Sequence, residues 1–460
     1  MQDYISAFKS SLPENAELRA QRNLTRSVSL VSGSLVGNTS NDQSGVSARV
    51  YSHGLYGFAS TAEYSEDAIK RVVEAAGENA KFLGSRAGLA AKPLPRVGGG
   101  RLSTNQKEQD VEQKVILDFT RELDGYIADK YPKLTGRRVI ARCNATEKLL
   151  VTTGGSGIEA YSLSPRSHIY VFLTATAADG DVVEFFDALG GGGFFGERFT
   201  APDKLYADVD SFYEQLMKKA EGVYADAGVR DVIIGSALAG TLAHEAVGHT
   251  VEADLVLAGS VAGPNLNKQV ASDLITIVDF AKECGGVPVP LPVIADDEGI
   301  PAEDAVLIKD GILTGYMNNR ESAAHFGVKP QGNARAYLFS DEPLIRMRNT
   351  AILPGKSKLE DMIASVDDGY YLTRDGNGQA DTTGEFMFGV GMGYEIKKGR
   401  IGRAIRDTTI AGVAFEMLKT VDMVSDELHW ACNGTCGKKQ PMPVGMGGPS
   451  IKARVSIGGR

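Results

Sequence analysis

Cysteine and histidine are scarce in this chain of 460 residues, which contains four cysteines and six histidines. The cysteines, from Cys143 to Cys436, are too few and too scattered for a disulfide scaffold. We therefore expect free thiols and a reducing, cytoplasmic compartment. Free thiols of this kind remain available as metal ligands.

Positive charge and long apolar segments are also lacking. The net charge is −9, and no basic stripe with interleaved aromatic residues occurs, which argues against nucleic acid as a partner. No run of about 18 apolar residues predicts a membrane span. Residues 1–18 lack the apolar core of a signal peptide. We expect a cytoplasmic protein that contacts neither nucleic acid nor a membrane.

Glycine, with 54 residues, is abundant instead, and it breaks the second half of the chain into short apolar runs. This pattern is typical of antiparallel hairpins. Together with the length, it predicts a multi-domain α+β protein. We expect an α/β domain over residues 1–95, a second α/β domain over 96–228, and a large, mostly antiparallel β domain with a metal-binding helix over 229–460.

Local patterns within the first two domains predict particular elements. Residues 25–37 and 45–61 alternate as strands do, and residues 65–83 form an amphipathic helix with Ser65 as its N-cap. Residues 137–153 and 167–178 predict strands, and residues 110–131 and 203–225 predict helices. The run GGGG at 190–193 is not followed by G-K-[ST], so we expect a flexible turn and not a phosphate loop.

The segment LAHEAVGHTVEAD, from Leu242 to Asp254, suggests a metal site with unusual spacing. His244 and Glu245 resemble the start of H-E-x-x-H, but the second histidine, His249, comes one residue late. Five residues of a regular α-helix leave about 140° between the two side chains, which is too far for one metal. A π-bulge, or a helix that bends or ends near Gly248, would correct this. The alternative is two histidines that simply hydrogen-bond to neighbours on a partly buried helix.

The third ligand is open from local sequence alone. Cys436 lies in a glycine-flanked loop and is a suitable zinc ligand. Cys432 stands four residues earlier, with His429 alongside, so a structural zinc or a disulfide between the two cysteines is the alternative. Glu252 and Asp254 are rival ligands after His249.

These residues resemble the TldD/PmbA family of zinc-dependent peptidases, once described as modulators of DNA gyrase. HEAVGH followed by Glu-x-Asp is similar to the family's H-E-x-x-x-H motif. The likeness continues through DDEGIPAEDAVLIKDGILTGYMNNRESA, QGNARA, RMRNTAILPG and GNGQADTTGEFMFGVGMGYEI, and it ends with TCGKKQPMPVGMGGPSI. It covers essentially the last 230 residues and part of the first domain, around DQSGVSARVYSHGLYGFASTAEYSEDAI.

The resemblance implies a subunit of the TldD kind, which binds metal. By residue, it implies Zn²⁺ held by His244, His249 and Cys436, with Glu245 as general base. It also implies a chamber built from two subunits, either a homodimer or a heterodimer with a PmbA-like partner. An unfolded peptide would enter and add a strand to a sheet edge. The rival reading is a non-catalytic scaffold subunit with structural zinc or none.

The donor that would stabilise the reaction's oxyanion is not identified by the sequence. Arg346, Arg348 and Tyr394 are named only as guesses for this role. A structural role is the alternative for each of them.

Overall fold

A computed structural model describes residues 5–88, 93–104, 106, 107, 109 and 111–459. It shows a mixed α+β protein with mostly antiparallel sheets, which confirms the predicted fold class. Part of the glycine- and proline-containing segment 85–100, namely residues 89–92, lies outside the described residues. The α-helices are α1 (Glu66–Ala87), α2 (Gln113–Lys130), α3 (Phe195–Arg198), α4 (Tyr206–Ala220), α5 (Ser236–Leu242), α6 (Ala253–Leu257), α7 (Arg320–Phe326), α8 (Leu359–Ala364) and α9 (Ala414–Lys419).

The amino-terminal half of the chain forms one sheet. Its strands are β1 (Ala16–Val31), β2 (Ser34–Ser52), β3 (Leu55–Thr61), β4 (Gly100–Ser103), β5 (Gly136–Thr152), β6 (Ile158–Thr176) and β7 (Val182–Gly192). The order is β3-β2-β1-β5-β6, and both β4 and β7 pair with β6. The sheet therefore contains strands from both predicted domains, 1–95 and 96–228. The boundary between those domains stays a prediction.

The glycine run contradicts the expected turn. Gly190, Gly191 and Gly192 belong to β7 and pair with residues 168, 167 and 166 of β6. The pairing explains in part why glycine is found here, because a Cβ on Gly190 would lie 2.2 Å from the Ser167 carbonyl oxygen.

Strand β1 shows why the sheet is buried on both faces. Leu18, Ala20 and Val28 lie on one face and are buried against residues of α1 and α2. Helix α1 begins as predicted, because the Ser65 hydroxyl accepts a hydrogen bond from the Ala68 N–H at 3.2 Å. The opposite face of β1 carries buried polar side chains such as Glu17, which meets residues of the carboxyl-terminal half. Alternation along one strand thus separates an apolar core from a polar interface.

The carboxyl-terminal half is built from two larger sheets and short hairpins. Its strands are β8 (Gly228–Ile234), β9 (Ile277–Phe280), β10 (Glu283–Cys284), β11 (Val287–Pro288), β12 (Ala305–Lys309), β13 (Ile312–Leu313), β14 (Ala334–Arg335), β15 (Leu344–Ile345), β16 (Asn349–Ile352), β17 (Asp368–Ala380), β18 (Glu385–Lys397), β19 (Arg400–Ile405), β20 (Thr408–Val413), β21 (Met423–Val424), β22 (His429–Ala431), β23 (Thr435–Cys436), β24 (Met442–Pro443), β25 (Gly445–Gly448) and β26 (Ile451–Ile457).

Two of these sheets position the predicted metal-binding segment. One has the order β13-β12-β9-β16-β25-β22. In the other, β17 pairs with both β8 and β18, so β17, β8, β26, β20 and β18 close into a ring. Helix α5 follows β8 and contacts β17 of the ring and β25 of the other sheet. Its buried residues, including Leu238 and Leu242, belong to the core of this half.

Among the residues that the structure describes, no helix combines the length and the apolar character needed to cross a membrane.

Candidate metal centre

The segment that carries both histidines is an irregular helix, as predicted. Helix α5 ends at Leu242, a π-helix runs over Ala243–Gly248, and a 3₁₀ turn covers His249–Val251. The His249 N–H donates to the carbonyl oxygen of His244, five residues earlier. This wider turn brings residues i and i+5 onto one side of the helix.

Glycine is required at the end of the π-helix by a close packing contact. A Cβ on Gly248 would lie 2.0 Å from the sulfur of Met347. Met347 is fully buried in the core of the carboxyl-terminal half, so it has little room to withdraw. Gly248 lets the helix approach this side chain at the point where His249 begins the next turn.

Cys436 comes to the two histidines from a separate hairpin. It lies on β23 and pairs with Met442 on β24. Its Sγ is 3.2 Å from Nε2 of His249, and the two imidazole centroids are 5.3 Å apart at an interplanar angle of 81°. One ligand atom from each of His244, His249 and Cys436 lies within 4.8 Å of the others. Among the described residues, this is the cluster of histidine, cysteine and carboxylate groups that could hold a metal ion.

The surroundings of His244 fit a metal ion. The side chain is buried, and neither ring nitrogen has a hydrogen-bond partner among the described residues. Buried polar groups without a partner are uncommon, because each loses its hydration. Two imidazoles and one thiolate are a donor set that zinc accepts, with a fourth position open. A zinc ion would supply the missing partner of His244.

The charge distribution at His249 and Cys436 suits their pairing. Burial alone would lower the pKa of His249, but hydrogen bonds with Cys436 and Glu252 outweigh it and raise that pKa to about 10. Burial alone would raise the pKa of the Cys436 thiol, but His244 and His249 lower it to about 4. The opposite shifts favour an imidazolium–thiolate pair in the metal-free protein, and a zinc ion would take the place of the proton between Nε2 of His249 and the sulfur.

Glu252 and Asp254, the rival ligands, lie outside the cluster. Glu252 is fully buried, and its Oε2 is 2.8 Å from Nδ1 of His249, which leaves Nε2 facing Cys436. Lys438 contacts both acids, at 3.2 Å from Glu252 and 2.7 Å from Asp254. Such a carboxylate fixes the orientation of a histidine ligand without touching the metal.

Glu245 lies beside the cluster and is not part of it. Its Oε2 is 3.7 Å from Nε2 of His249, and 28% of its side chain is exposed. The carboxylate therefore reaches the edge of the cluster from a side that water can approach.

The alternatives based on Cys432 and His429 lose support from their positions. Cys432 is a free, buried thiol that lies 3.7 Å from Nε2 of His168. His429 is 65% exposed and lies near Glu427. Neither contributes an atom to the cluster around Cys436.

The oxyanion candidates have structural contacts. Arg346 is fully buried and donates to the carbonyl oxygens of Cys436, Lys438 and Gln440, so it shapes the loop that presents Cys436. Arg348 is paired with Asp279 at 2.8 Å. The side chain of Tyr394 packs at the edge of the apolar core beneath the amino-terminal sheet.

Sequence reasoning missed the supporting residues of this centre. Lys438 joins the two segments that carry His249 and Cys436. Arg346 donates hydrogen bonds to the backbone of the loop that begins at Cys436. The only signal in the sequence was the position of Lys438 two residues after Cys436. Its acidic partners Glu252 and Asp254 are more than 180 residues away, so no local pattern could indicate them.

Comparisons with known proteins agree with the geometry. A family model described as the PmbA/TldA metallopeptidase C-terminal domain matches residues 227–459. Another, described as PmbA/TldA metallopeptidase domain 1, matches residues 16–80. A protein named metalloprotease from Methanothermobacter thermautotrophicus is 31% identical, and the match covers 99% of this chain and 98% of that protein.

Two further similarities concern a shorter match and a solved structure. A zinc metalloprotease TldD homolog from Saccharolobus solfataricus is 32% identical over 54% of this chain and 55% of that protein. The crystal structure of TldE from Thermococcus kodakarensis aligns with a TM-score of 0.74 over 99% of both chains. At 19% sequence identity, this alignment shows a shared fold alone.

Proposed function

Because the chain belongs to the TldD/PmbA family of metallopeptidases, we propose that it is a TldD-type, zinc-dependent peptidase of the H-E-x-x-x-H kind. His244, His249 and Cys436 would hold the zinc, and Glu245 would act as general base. The observation that carries this proposal is the convergence of three ligand atoms, one of them from the buried His244, whose ring nitrogens have no hydrogen-bond partner among the described residues.

The chemistry follows from the residues around the ion. When bound, zinc would supply Lewis acidity, which lowers the pKa of a coordinated water and polarises a carbonyl group. Glu245, whose carboxylate lies 3.7 Å from His249, is placed to accept a proton from the attacking water. The same carboxylate can then return the proton to the nitrogen of the leaving amine. Glu252 keeps His249 turned toward the cluster through the 2.8 Å contact with Nδ1.

The substrate and assembly belong to the same proposal. We infer an unfolded peptide substrate that adds a strand to a sheet edge inside a chamber of two subunits. Main-chain hydrogen bonds would hold such a peptide and tolerate many side chains. Similarity to a protein named TldE supports a partner of related fold, either a second copy of this chain or a PmbA-like subunit. A cytoplasmic location stays a prediction.

A scaffold subunit with structural zinc is the second candidate. Structural zinc sites are closed by four protein ligands, whereas catalytic sites keep one position for water or substrate. Within the described part of the chain, the cluster offers three ligands, with a carboxylate next to them. This arrangement favours catalysis over structure.

The direct test combines metal analysis with peptide digestion. The purified protein should bind one zinc per chain and cleave an unfolded peptide, alone or after a PmbA-like partner is added. Chelation should stop cleavage, and added zinc should restore it. X-ray absorption should show two nitrogen ligands, one sulfur ligand and one light exchangeable ligand. Four protein ligands, with no cleavage by the protein alone or with its partner, would instead support the hypothesis of a scaffold subunit.

A further inference from the structure

A cavity of about 480 Å³ lies between the amino-terminal sheet and the carboxyl-terminal half. Strands β1, β5 and β6 form one wall, and residues 289–297, 335–337 and 442–443 form the other. Its volume is within the range of small-ligand and peptide pockets. The three metal-ligand candidates and Glu245 do not line it, so it is a separate site.

Four cationic and three acidic side chains line this cavity, so its lining has a small excess of positive charge. Lys148, Arg166, Arg198 and Arg335 all line it. Lys148 is neutralised by Asp297 at 2.7 Å. None of the three arginines has a carboxylate within 4.0 Å among the described residues.

The direct contacts of the half-buried Arg335 and Arg166 are with carbonyl oxygens, whereas Arg198 is exposed. Arg335 donates to the carbonyl oxygens of Met347 and Pro443, and Arg166 donates to the carbonyl oxygen of Cys432. Burial lowers the pKa of Arg335 to about 10, with Arg346 adding to the effect, and burial also lowers the pKa of Arg166. Buried cations without an opposite charge are costly in free energy.

The acids on the same walls are already occupied. Glu197 accepts hydrogen bonds from the Phe194 N–H and from the Gln109 side chain. Asp296 accepts backbone N–H groups of Glu298, Ile300 and Ala334. These carboxylates hold local turns and make no direct ion pair with the three arginines among the described residues.

We propose that this cavity binds a peptide carboxylate through Arg166 and Arg198, and so selects peptides that carry negative charge. The planar guanidinium group pairs with a carboxylate through two parallel hydrogen bonds. That the ligand is a peptide rests on the proposed function. The carboxylate is either the carboxyl terminus of the peptide or an acidic side chain, and both have the same chemistry.

The position of the cavity connects this site with the metal centre. Met442 and Pro443 line the cavity, and they pair directly with Cys436 and Thr435. A peptide anchored in the cavity is therefore one strand away from the candidate ligand Cys436. The anchor would hold one part of a substrate beside the hairpin that presents Cys436.

The test measures equilibrium binding of fluorescein-labelled octapeptides by anisotropy. The parent peptide has a free carboxyl terminus and one internal glutamate. Three derivatives carry a terminal amide, glutamine in place of the glutamate, or both changes. Zinc-loaded protein with Glu245→Gln serves as background so that peptides stay intact, and mass spectrometry verifies this. Variants Arg166→Gln and Arg198→Gln are compared with Arg121→Gln, which changes an exposed arginine of α2 outside the cavity.

Removing the carboxylate that binds should weaken the parent complex by about 10-fold or more, since charge-assisted hydrogen bonds are lost. The derivative that loses affinity tells which carboxylate is used. Arg166→Gln and Arg198→Gln should weaken binding of the acidic peptide by a similar factor and leave binding of the doubly neutral peptide unchanged. The control Arg121→Gln should change neither affinity.

Equal affinity for all four peptides would overturn the proposal, as would equal weakening of acidic and neutral peptides by the arginine variants. If inorganic phosphate displaces the acidic peptide at micromolar concentration, the cavity is a site for an inorganic anion and the proposal is wrong. Charge-dependent binding without hydrolysis by the wild-type protein would reject the peptidase function and leave this site standing. Hydrolysis together with charge-independent binding would support the peptidase function and reject the carboxylate site.

Discussion

Two buried polar clusters of this protein contain side chains that are usually found in water, yet they differ in how those side chains are satisfied. At the interface between the halves, Glu17 and Glu298 meet Arg49 and Arg320. Arg49 contacts both acids, at 3.4 and 2.6 Å, and Arg320 contacts Glu17 at 3.4 Å. The Tyr56 hydroxyl also donates to Glu17. Arg49 also contacts Glu342 at 3.1 Å and Glu321 at 3.8 Å, so the acids of this cluster share arginine partners.

The cluster of His244, His249 and Cys436 contains a side chain without such partners. His244 is as buried as the interface residues, but both of its nitrogens lack a partner among the described residues. The comparison shows that burial of polar groups alone does not indicate a functional site. A satisfied cluster stabilises the fold, whereas an unsatisfied one provides room for a ligand.

The largest effect expected from this contrast is the loss of turnover in Glu245→Gln. The substitution keeps the shape of the side chain and removes the proton acceptor, so peptide cleavage should fall by about 10²–10⁴-fold. Zinc content and fold should stay unchanged, because Glu245 is not a ligand in the proposed set. Cleavage and zinc content are measured on the same preparation. Near wild-type cleavage with full zinc would reject the base role, and loss of both would make Glu245 a structural part of the centre.

Removing the thiolate should produce the next largest change. Cys436→Ser should weaken zinc binding by more than about 100-fold, since even partners outside the ligand set contribute about 10–100-fold. Cys432→Ser is the matched control, because Cys432 is also a buried free thiol but lies near His168. Competition with a chromogenic chelator gives both affinities. Similar weakening in the two variants would favour a paired-cysteine site.

The orientation of His249 provides a smaller effect. Glu252→Gln should weaken zinc binding by about 10–100-fold, because the amide holds the imidazole less firmly than the carboxylate. Asp254→Asn is the control, since Asp254 shares the Lys438 contact with Glu252 but does not touch His249. The same chelator competition applies. If both variants bind zinc equally, the Lys438 ion pairs and not the contact with His249 determine the affinity.

The remaining effect concerns the interface cluster around Glu17 and appears as a pH dependence of stability. Burial raises the pKa of Glu17 to about 7. Arg49 opposes this shift, and Glu298 contributes to it. Between pH 5 and 8, Glu17 is mostly ionised in the unfolded chain. In the folded chain its carboxyl group is still protonated near pH 5 and loses the proton as pH rises through about 7. The free energy of unfolding should therefore fall as pH rises, by up to about 3 kcal/mol from this group.

Glu17→Gln cannot ionise, so it should lack this part of the pH dependence. Urea unfolding at pH 5 and pH 8 compares the two proteins, with Glu66→Gln on the exposed face of α1 as control. Parallel pH curves for wild type and Glu17→Gln would show that Glu17 is ionised throughout this range, and zinc binding should not change in either variant.

Several features could be predicted because they depend on neighbours in sequence. The Ser65 cap and helix α1 follow from a polar residue before an amphipathic segment, and both are present. The irregular helix at His244 followed from simple geometry, since a regular helix separates residues i and i+5 too widely. The glycine run at 190–193 was misjudged, because pairing with β6 overrides the turn preference of glycine.

The sequence by itself determined the scarcity of thiols and histidines, the spacing that is incompatible with a regular α-helix, and the periodicities of helices and strands. These are local properties, fixed by dihedral preferences and by residues within a few positions of each other. Only the tertiary structure decided that Cys436 joins the histidines while Cys432 does not, that Glu252 orients His249, and that three arginines share a cavity without carboxylate partners. Each of these depends on contacts between segments far apart in the chain, which form only when burial of the core brings the two halves together.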